Sequence, residues 1–472
     1  MNFNTALFLF LFLPFFLIAY FISQPRWRPV LGVLASLLFY AWGDARNLLL
    51  LLGVILINYV LARVLIEKPT RWALPLGLLI NLGALAFFKF FIAYQFDMFF
   101  GLDVYFPQRV NGWLESVTLP LGLSYISFQL VSYLVDVQKG AVQPEKNLIA
   151  FAFYVLMFTK LLVGPIVRYR TVAEQLPAPQ LDANQVAGGI RRFLGGFAKK
   201  ILIADVLAKT VNAAFDLPVD AYPPLMGWLA LIGFALQIYF DFSGYTDMAI
   251  GLASMMGFRF IENFNEPYTA QSVSDFWRRW NMSLSTWFRD YVFYPLERRK
   301  LPVMGQSLNI LVVFLLTGLW HGTSINFIVW GLLHGVFLAI EGAFLNRLLQ
   351  KMPRLIRHVY ALAAVLLTWL VFRSPTFEYA FDLLRLLFGN VQTQTALSFL
   401  DTTPLPFIEP SFLLAFAAAI LLCLPFVPTL KLHIEKSFPL IVARDLILLA
   451  LFVLSVGMMA NSAFLPGIYE KF

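Results

Sequence analysis

The chain has 472 residues, 60% of them hydrophobic and only 13% charged, with a mean hydropathy of +0.75. Soluble domains are about half apolar and about a quarter charged, so this composition excludes an ordinary water-soluble globule and calls for lipid around much of the surface. The net charge of +8 fits a positive-inside bias and attraction to anionic lipid, and it gives no ground for nucleic-acid binding.

A spanning helix needs about 20 apolar residues to cross about 30 Å of hydrocarbon. In chain order, apolar stretches fall at 5–23, 30–41, 47–66, 73–95, 119–137, 148–164, 189–212, 225–253, 307–320, 325–346, 357–373, 411–428 and 443–459. Several are shorter than a full crossing. The reading is an all-α polytopic membrane protein of about a dozen segments, some tilted, broken or re-entrant, forming one domain over 1–472. No internal repeat is visible, which counts against an inverted-repeat transporter. Met1–Thr5 carries no basic region, and Arg26 and Arg28 follow the first apolar run. That run is therefore a membrane segment rather than a signal peptide, with the amino terminus outside. Asp44 and Arg46 balance the next loop, while Lys68 and Arg71, then Lys139 and Lys146, mark inner loops. Beyond 164 the alternation fails, because Arg168 and Arg170 would fall outside. This predicts irregular backbone enclosed by protein, with Gly164 and Pro165 as a helix break. The single cysteine, Cys423, excludes an intrachain disulfide and a cysteine-based metal site.

Polar chemistry concentrates at 237–300. Tyr239, Asp241, Tyr245 and Asp247 lie in an otherwise apolar run, where they line or brace an interior. Seven Lys or Arg residues between 259 and 300 are interleaved with aromatics. Such charges cost about 2.5–3.5 kcal/mol each at a helix centre in lipid, so this stretch avoids open hydrocarbon. Placed on one helix, 275–291 puts Trp277, Trp280, Leu284, Trp287, Phe288 and Tyr291 on an apolar stripe. Asp275, Arg278 and Arg279 largely avoid it. That pattern fits an interfacial helix with aromatic anchors, and surface anchoring alone accounts for the arginines equally well. Asn281 falls on the apolar side, where a carboxamide needs partners or costs about 1–3 kcal/mol. A structural hydrogen bond and a contact with substrate are both open there.

Thr317–Gly322 reads Thr-Gly-Leu-Trp-His-Gly inside an apolar run. His321 is one of four histidines, with His334, His358 and His433. A neutral imidazole suits a general base near physiological pH, although buried histidines are commonly structural. Gly318 and Gly322, and Gly331 and Gly335 around His334, have the spacing of closely packed membrane helices. Histidines and carboxylates share no metal-ligand spacing. No phosphate loop, nucleophile elbow or dinucleotide fingerprint is present.

The run Phe-Trp-Arg-Arg-Trp-Asn-Met-Ser-Leu-Ser-Thr-Trp-Phe-Arg-Asp-Tyr at 276–291, followed about 30 residues later by Gly-Leu-Trp-His-Gly at 318–322, resembles the membrane-bound O-acyltransferase (MBOAT) family, in its AlgI/DltB-like bacterial branch. Further matches are Leu-Pro-Leu-Gly-Leu-Ser-Tyr at 119–125, Gly-Pro-Ile-Val-Arg-Tyr at 164–169, Phe-Ala-Lys-Lys at 197–200 and Tyr-Phe-Asp-Phe-Ser-Gly-Tyr-Thr-Asp at 239–247. The set in this order is specific, whereas any one piece is weak.

The resemblance implies a helical core around a tunnel, with peripheral helices over about 1–115, a catalytic core over about 119–373 and C-terminal helices over about 374–472. It implies His321 as the catalytic residue and places Asn281 at the earlier polar position, where many AlgI-like chains carry histidine. The departure argues against a second base, and an amide there can hold an acyl carbonyl. Trp277, Arg278, Arg279, Trp280, Ser285, Arg289, Tyr239, Asp241, Tyr245 and Trp320 are candidates for donor binding or tunnel lining. The implied activity is transfer of an acyl group, acetyl by preference, from a cytoplasmic thioester such as acetyl-CoA, with no bound cofactor, in a bacterial cytoplasmic (inner) membrane. The longest outward loop, about 96–118, is too short for a soluble domain, so a separate extracytoplasmic SGNH-type transferase is implied. D-alanyl transfer from a carrier protein to teichoic acid is the alternative within the branch, and a transporter or flippase the alternative outside it.

Overall fold

The computed structural model describes residues 2–67, 72–92, 119–298, 305–322, 324–389, 408–425, 433–461 and 468, and among them there is no strand. The loop at 96–118 and the cations Lys68 and Arg71 lie outside these residues. The chain divides into two compact units, Met1–Phe193 with Thr246–Glu262, and Leu194–Tyr245 with Asn263–Phe472. Five helices among the described residues are long and apolar enough to cross a membrane, and five apolar helices are shorter.

The first unit contains α1 (Leu13–Ile22), α2 (Arg28–Asp44), α3 (Leu48–Glu67), α4 (Ala73–Ala86), α5 (Leu123–Gln138), α6 (Leu148–Leu156) and most of α7 (Ala183–Ala198). Carboxamides join α3 to α4: Asn81 donates to Asn58 at 2.7 Å and Asn58 donates back at 3.2 Å. Both are buried, where such interhelical pairs replace contacts that lipid cannot offer. The predicted 119–137 segment is α5. Its side chains are almost all buried, Gln129 and Asp136 included, so it is an interior helix that lipid scarcely touches.

After α6 the backbone is irregular, and residues 153–169 are all buried in protein. This is the arrangement the failed charge alternation predicts. Gly164 sits there because a Cβ would stand 2.9 Å from the Lys160 Cα. Lys160 donates to the Gln129 side-chain oxygen and lies 4.6 Å from the Tyr154 ring centroid. In α7, Arg192 reaches Asp247 at 2.9 Å and also pairs with Glu262. Asp247 is thus a brace of the first unit.

The second unit holds α8 (Asp205–Phe215), most of α9 (Pro224–Met255), α10 (Val273–Trp277), α11 (Met282–Phe288), α12 (Gln306–His321), α13 (Ile325–Ile340), α14 (Arg354–Arg373), α15 (Phe377–Leu387), α16 (Pro410–Leu422) and α17 (Phe438–Asn461). The glycines of α12 and α13 set a close crossing. A Cβ on Gly331 would meet the Phe314 carbonyl oxygen at 2.3 Å and the Gly318 Cα at 3.1 Å. Small residues let membrane helices approach in this way, as their spacing predicts.

The single helix expected over 275–291 is not formed. It breaks between α10 and α11, where Asn281 adopts a left-handed conformation with φ of 42°. Asparagine tolerates that region better than most side chains. The α11 entrance is then held from outside, because Met282 N–H donates to the Asn263 carbonyl at 3.0 Å and Ser283 N–H to the Asn263 side chain at 3.1 Å. Positions along 275–291 therefore do not share one helical face.

Candidate active site

All the candidate site residues fall within the second unit. Gly164, Pro165 and Arg168 belong to the first. His321 ends α12 and is 2% exposed. Its ring packs edge-on against Trp330 at 4.8 Å and Phe372 at 5.5 Å between centroids, with Trp320 at 4.7 Å. Trp330 belongs to α13 and Phe372 to α14, so three helices fix the imidazole. Trp330 in turn stacks on Trp369 at 6.1 Å, and Trp369 meets Trp280 at 5.1 Å. Trp280 packs against Tyr239 at 6.2 Å. A continuous run of rings therefore joins the Trp280–Asn281 turn to His321. Asn281 itself is 3% exposed, and its carboxamide makes no capping bond to α11.

Two cavities of the second unit border this core, and His321 lines neither. One, of about 570 Å³, is lined on α12 by Gln306, Ile310, Phe314 and Thr317. These lie on one helical stripe, and His321 is the next residue along it, one turn beyond Thr317. Trp277, Arg278, Ser285 and Arg289 line the same cavity. Arg278 is 71% exposed and Arg289 is 52% exposed beside Asp290. The other cavity, of about 480 Å³, is lined by Phe372 and Phe327, by Lys200 ahead of α8, by Asp205 and Asp216 at the two ends of α8, by Asp241 of α9 and by Arg373 of α14. Lys200 bridges Asp205 and Asp241 at 2.7 Å each. Asp241 also accepts from the Ile468 N–H at 2.7 Å, and Arg373 donates to Asn212 at 3.0 Å.

Arg279 stands apart from the other two arginines. It is tied to Asp275 at 3.0 Å and lines a third cavity of about 830 Å³, with Glu266 and His358. Burial pushes the Glu266 carboxyl above its ordinary range, and Arg279 pulls the other way. Tyr245 is buried in α9 and lines none of the three.

Several supporting residues lie beyond the candidates for catalysis, donor binding or tunnel lining. Glu341 is fully buried and accepts from the N–H groups of Val273 at 2.7 Å and Ser274 at 2.8 Å, from the Ser274 hydroxyl at 2.5 Å and from Tyr360 at 3.1 Å. It caps the α10 N-terminus, where a carboxylate meets unpaired N–H groups. The signal was present: Glu341 is the one charge in a long apolar run, and such a residue is a functional candidate by default. His334 accepts from the Trp277 indole N–H at 3.2 Å and thereby fixes Trp277 over the first cavity. Trp330 and Trp369 gave no such signal, because a tryptophan in an apolar helix reads as packing.

His321 is thus a buried imidazole one helical turn from Thr317 of the first cavity and 5.5 Å from Phe372 of the second, and it lines neither. The family profile of membrane-bound O-acyltransferases matches residues 5–374, and the chain belongs to that family: it is a multi-pass membrane O-acyltransferase. It is similar to the probable alginate O-acetylase AlgI of Azotobacter vinelandii, 38% identical over 82% of this chain and 78% of the relative. It is also similar to the peptidoglycan O-acetyltransferase of Helicobacter pylori, 32% identical over 82% and 80%. Similarity to the teichoic acid D-alanyltransferase of Bacillus subtilis is 32% over 48% of this chain and 59% of that one.

Proposed function

We propose that this enzyme moves an acetyl group from a cytoplasmic thioester, acetyl-CoA, to an acceptor on the far side of a bacterial cytoplasmic (inner) membrane, for O-acetylation of a cell-surface or secreted polysaccharide. The observation that supports this reading is the buried His321 ring, one helical turn from Thr317, which lines the first cavity, and packed on Phe372, which lines the second. The donor enters the side of Arg278 and Arg289, whose cations pair with its phosphates. A volume of about 570 Å³ lies within the roughly 300–1,000 Å³ usual for small-molecule sites. The acceptor hydroxyl comes through the cavity of Lys200, Asp241 and Arg373. His321 takes its proton as the oxygen attacks, and Asn281 steadies the acyl carbonyl.

The acceptor is a separate extracytoplasmic protein of the SGNH-transferase type, which passes the group to the polymer. Acetyl is favoured over D-alanyl because the O-acetylating relatives align over 82% of the chain and the D-alanyltransferase over 48%. The test is transfer of label from [14C]acetyl-CoA to the polymer fraction in membrane vesicles. His321→Ala lowers it by about 10²–10⁴-fold, the usual scale of positioned general-base help, with the protein still inserted. Transfer at the wild-type rate in that variant removes the proposal. Label crossing the membrane as free solute instead favours a transporter.

A further inference from the structure

The third cavity of the second unit, of about 830 Å³, is the largest of the three and takes no part in the reaction proposed above. Its lining changes character along α14. Arg354, His358, Leu362 and Leu366 line it at four-residue intervals, which places them on one side of the helix. The polar pair comes first and the leucines follow. Further apolar wall comes from Ile232 and Leu236 of α9, from Ile420 of α16 and from Leu424 just past it. Hydrogen bonds fix the polar end: His358 Nδ1–H donates to the Ala270 carbonyl at 3.0 Å, and Arg279 donates to the Thr269 hydroxyl at 3.3 Å. The Arg354 guanidinium has neither a hydrogen bond nor an ion pair among the described residues. The cavity is open on its lipid side. Leu355, Ile420 and Leu424 line it and are 72%, 42% and 39% exposed, and α14 is one of the five helices long and apolar enough to cross a membrane.

We propose that this cavity binds an anionic phospholipid of the cytoplasmic leaflet, with the headgroup phosphate on Arg354 and an acyl chain along the apolar side of α14. Arg347, Lys351, Arg354 and Arg357 lie between α13 and the first turn of α14. Basic connections stay inside, and anionic lipid collects in that leaflet. The length also fits. Arg354 to Leu366 spans about 18 Å at 1.5 Å per residue, against about 15 Å for the hydrocarbon of one leaflet, half of the roughly 30 Å core. A free phosphate would meet Arg354 and leave the apolar walls uncovered, whereas a neutral amphiphile would leave Arg354 unpaired. With Nδ1 donating, a neutral His358 ring offers Nε2 as the acceptor for a headgroup hydroxyl. Asp275 holds Arg279 at 3.0 Å, so Arg354 is the cation left for the phosphate. Burial pushes the Glu266 carboxyl up, toward the neutral form that donates to a phosphate oxygen instead of repelling it. Moving an acyl chain from bilayer to cavity gains little, because lipid tails are as apolar as leucine. Selectivity therefore rests on the headgroup. The site stands whichever acyl group the enzyme moves.

The test uses the full-length protein reconstituted in vesicles of equal parts phosphatidylglycerol and phosphatidylcholine, then extracted and weighed by native mass spectrometry. The wild type keeps one phosphatidylglycerol per chain in preference to phosphatidylcholine. Arg354→Ala lowers the affinity for phosphatidylglycerol about 5-fold, the factor expected for one basic residue near anionic lipid. Its lipid-free unfolding temperature stays that of the wild type, since Arg354 is exposed. Leu362→Trp fills the apolar side of the cavity and expels the lipid with its headgroup contacts intact. Equal retention of the two lipids, or phosphatidylglycerol retention unchanged by Arg354→Ala or by Leu362→Trp, reports bilayer lipid carried along and overturns the proposal. Displacement of phosphatidylglycerol by inorganic phosphate alone identifies a free-phosphate site and overturns the lipid assignment.

Discussion

At Asn281 a backbone demand meets the chemical role proposed for its amide. A φ of 42° is open to glycine and asparagine and costs most other residues about 1–2 kcal/mol. The carboxamide is a separate matter, and substitution separates the two. Asn281→Gly keeps the turn and deletes the amide, whereas Asn281→Ala deletes the amide and strains the turn. If the amide acts on the acyl carbonyl, both variants lose about 10²–10³-fold in turnover, and only the alanine variant unfolds earlier on heating. Wild-type turnover in the glycine variant assigns Asn281 to the turn alone. The sequence named this residue for a reason the structure replaces. Helical spacing put it on an apolar stripe, but spacing cannot report a left-handed residue that ends the helix. His321 drew notice because a titratable group in an apolar run has few explanations. The packing of Trp330 and Trp369 around it left no such mark, since a tryptophan in an apolar helix does not say which ring it meets.

Short helices need outside support, and α10 has five residues. A helix so brief satisfies few of its own N–H groups, and propensity alone does not sustain it. Its N-terminus is held by Glu341, from just beyond the end of α13, so the position of Trp277 depends on a carboxyl 64 residues later in the chain. Glu341→Leu leaves two backbone N–H groups buried without an acceptor, at about 1–3 kcal/mol each. Thermal unfolding in detergent reads that loss. Glu341→Gln keeps one acceptor oxygen and falls between the leucine variant and wild type. Equal stability of all three excludes the capping role. Such a contact could not be read from local pattern, because a long-range cap leaves no trace in the spacing of either helix. The α12–α13 crossing was legible for the opposite reason: glycines four apart on neighbouring helices announce a close approach from sequence alone.

On the scale of the whole molecule, charge distribution separates the two cavities, and the proposed function gives them different tasks. The cavity along α12 carries Arg278 and Arg289 at well-exposed positions, while the polar cavity combines Lys200 and Arg373 with Asp205, Asp216 and Asp241. An anionic donor is therefore drawn to the first and gains little from the second. Because both arginines meet water, their pull on phosphate is modest and screened, with a Debye length of about 10 Å at 0.1 M salt. Exposed ion pairs are worth up to about 1 kcal/mol each. Arg278→Ala with Arg289→Ala therefore raises KM for acetyl-CoA by about 10-fold at low salt and leaves kcat near wild type. The difference shrinks as salt rises, since screening removes from the wild type what the substitutions remove outright. A KM unchanged at every ionic strength returns both arginines to anchoring the protein at the membrane surface. A fall in kcat instead places them against the reacting thioester rather than its phosphates.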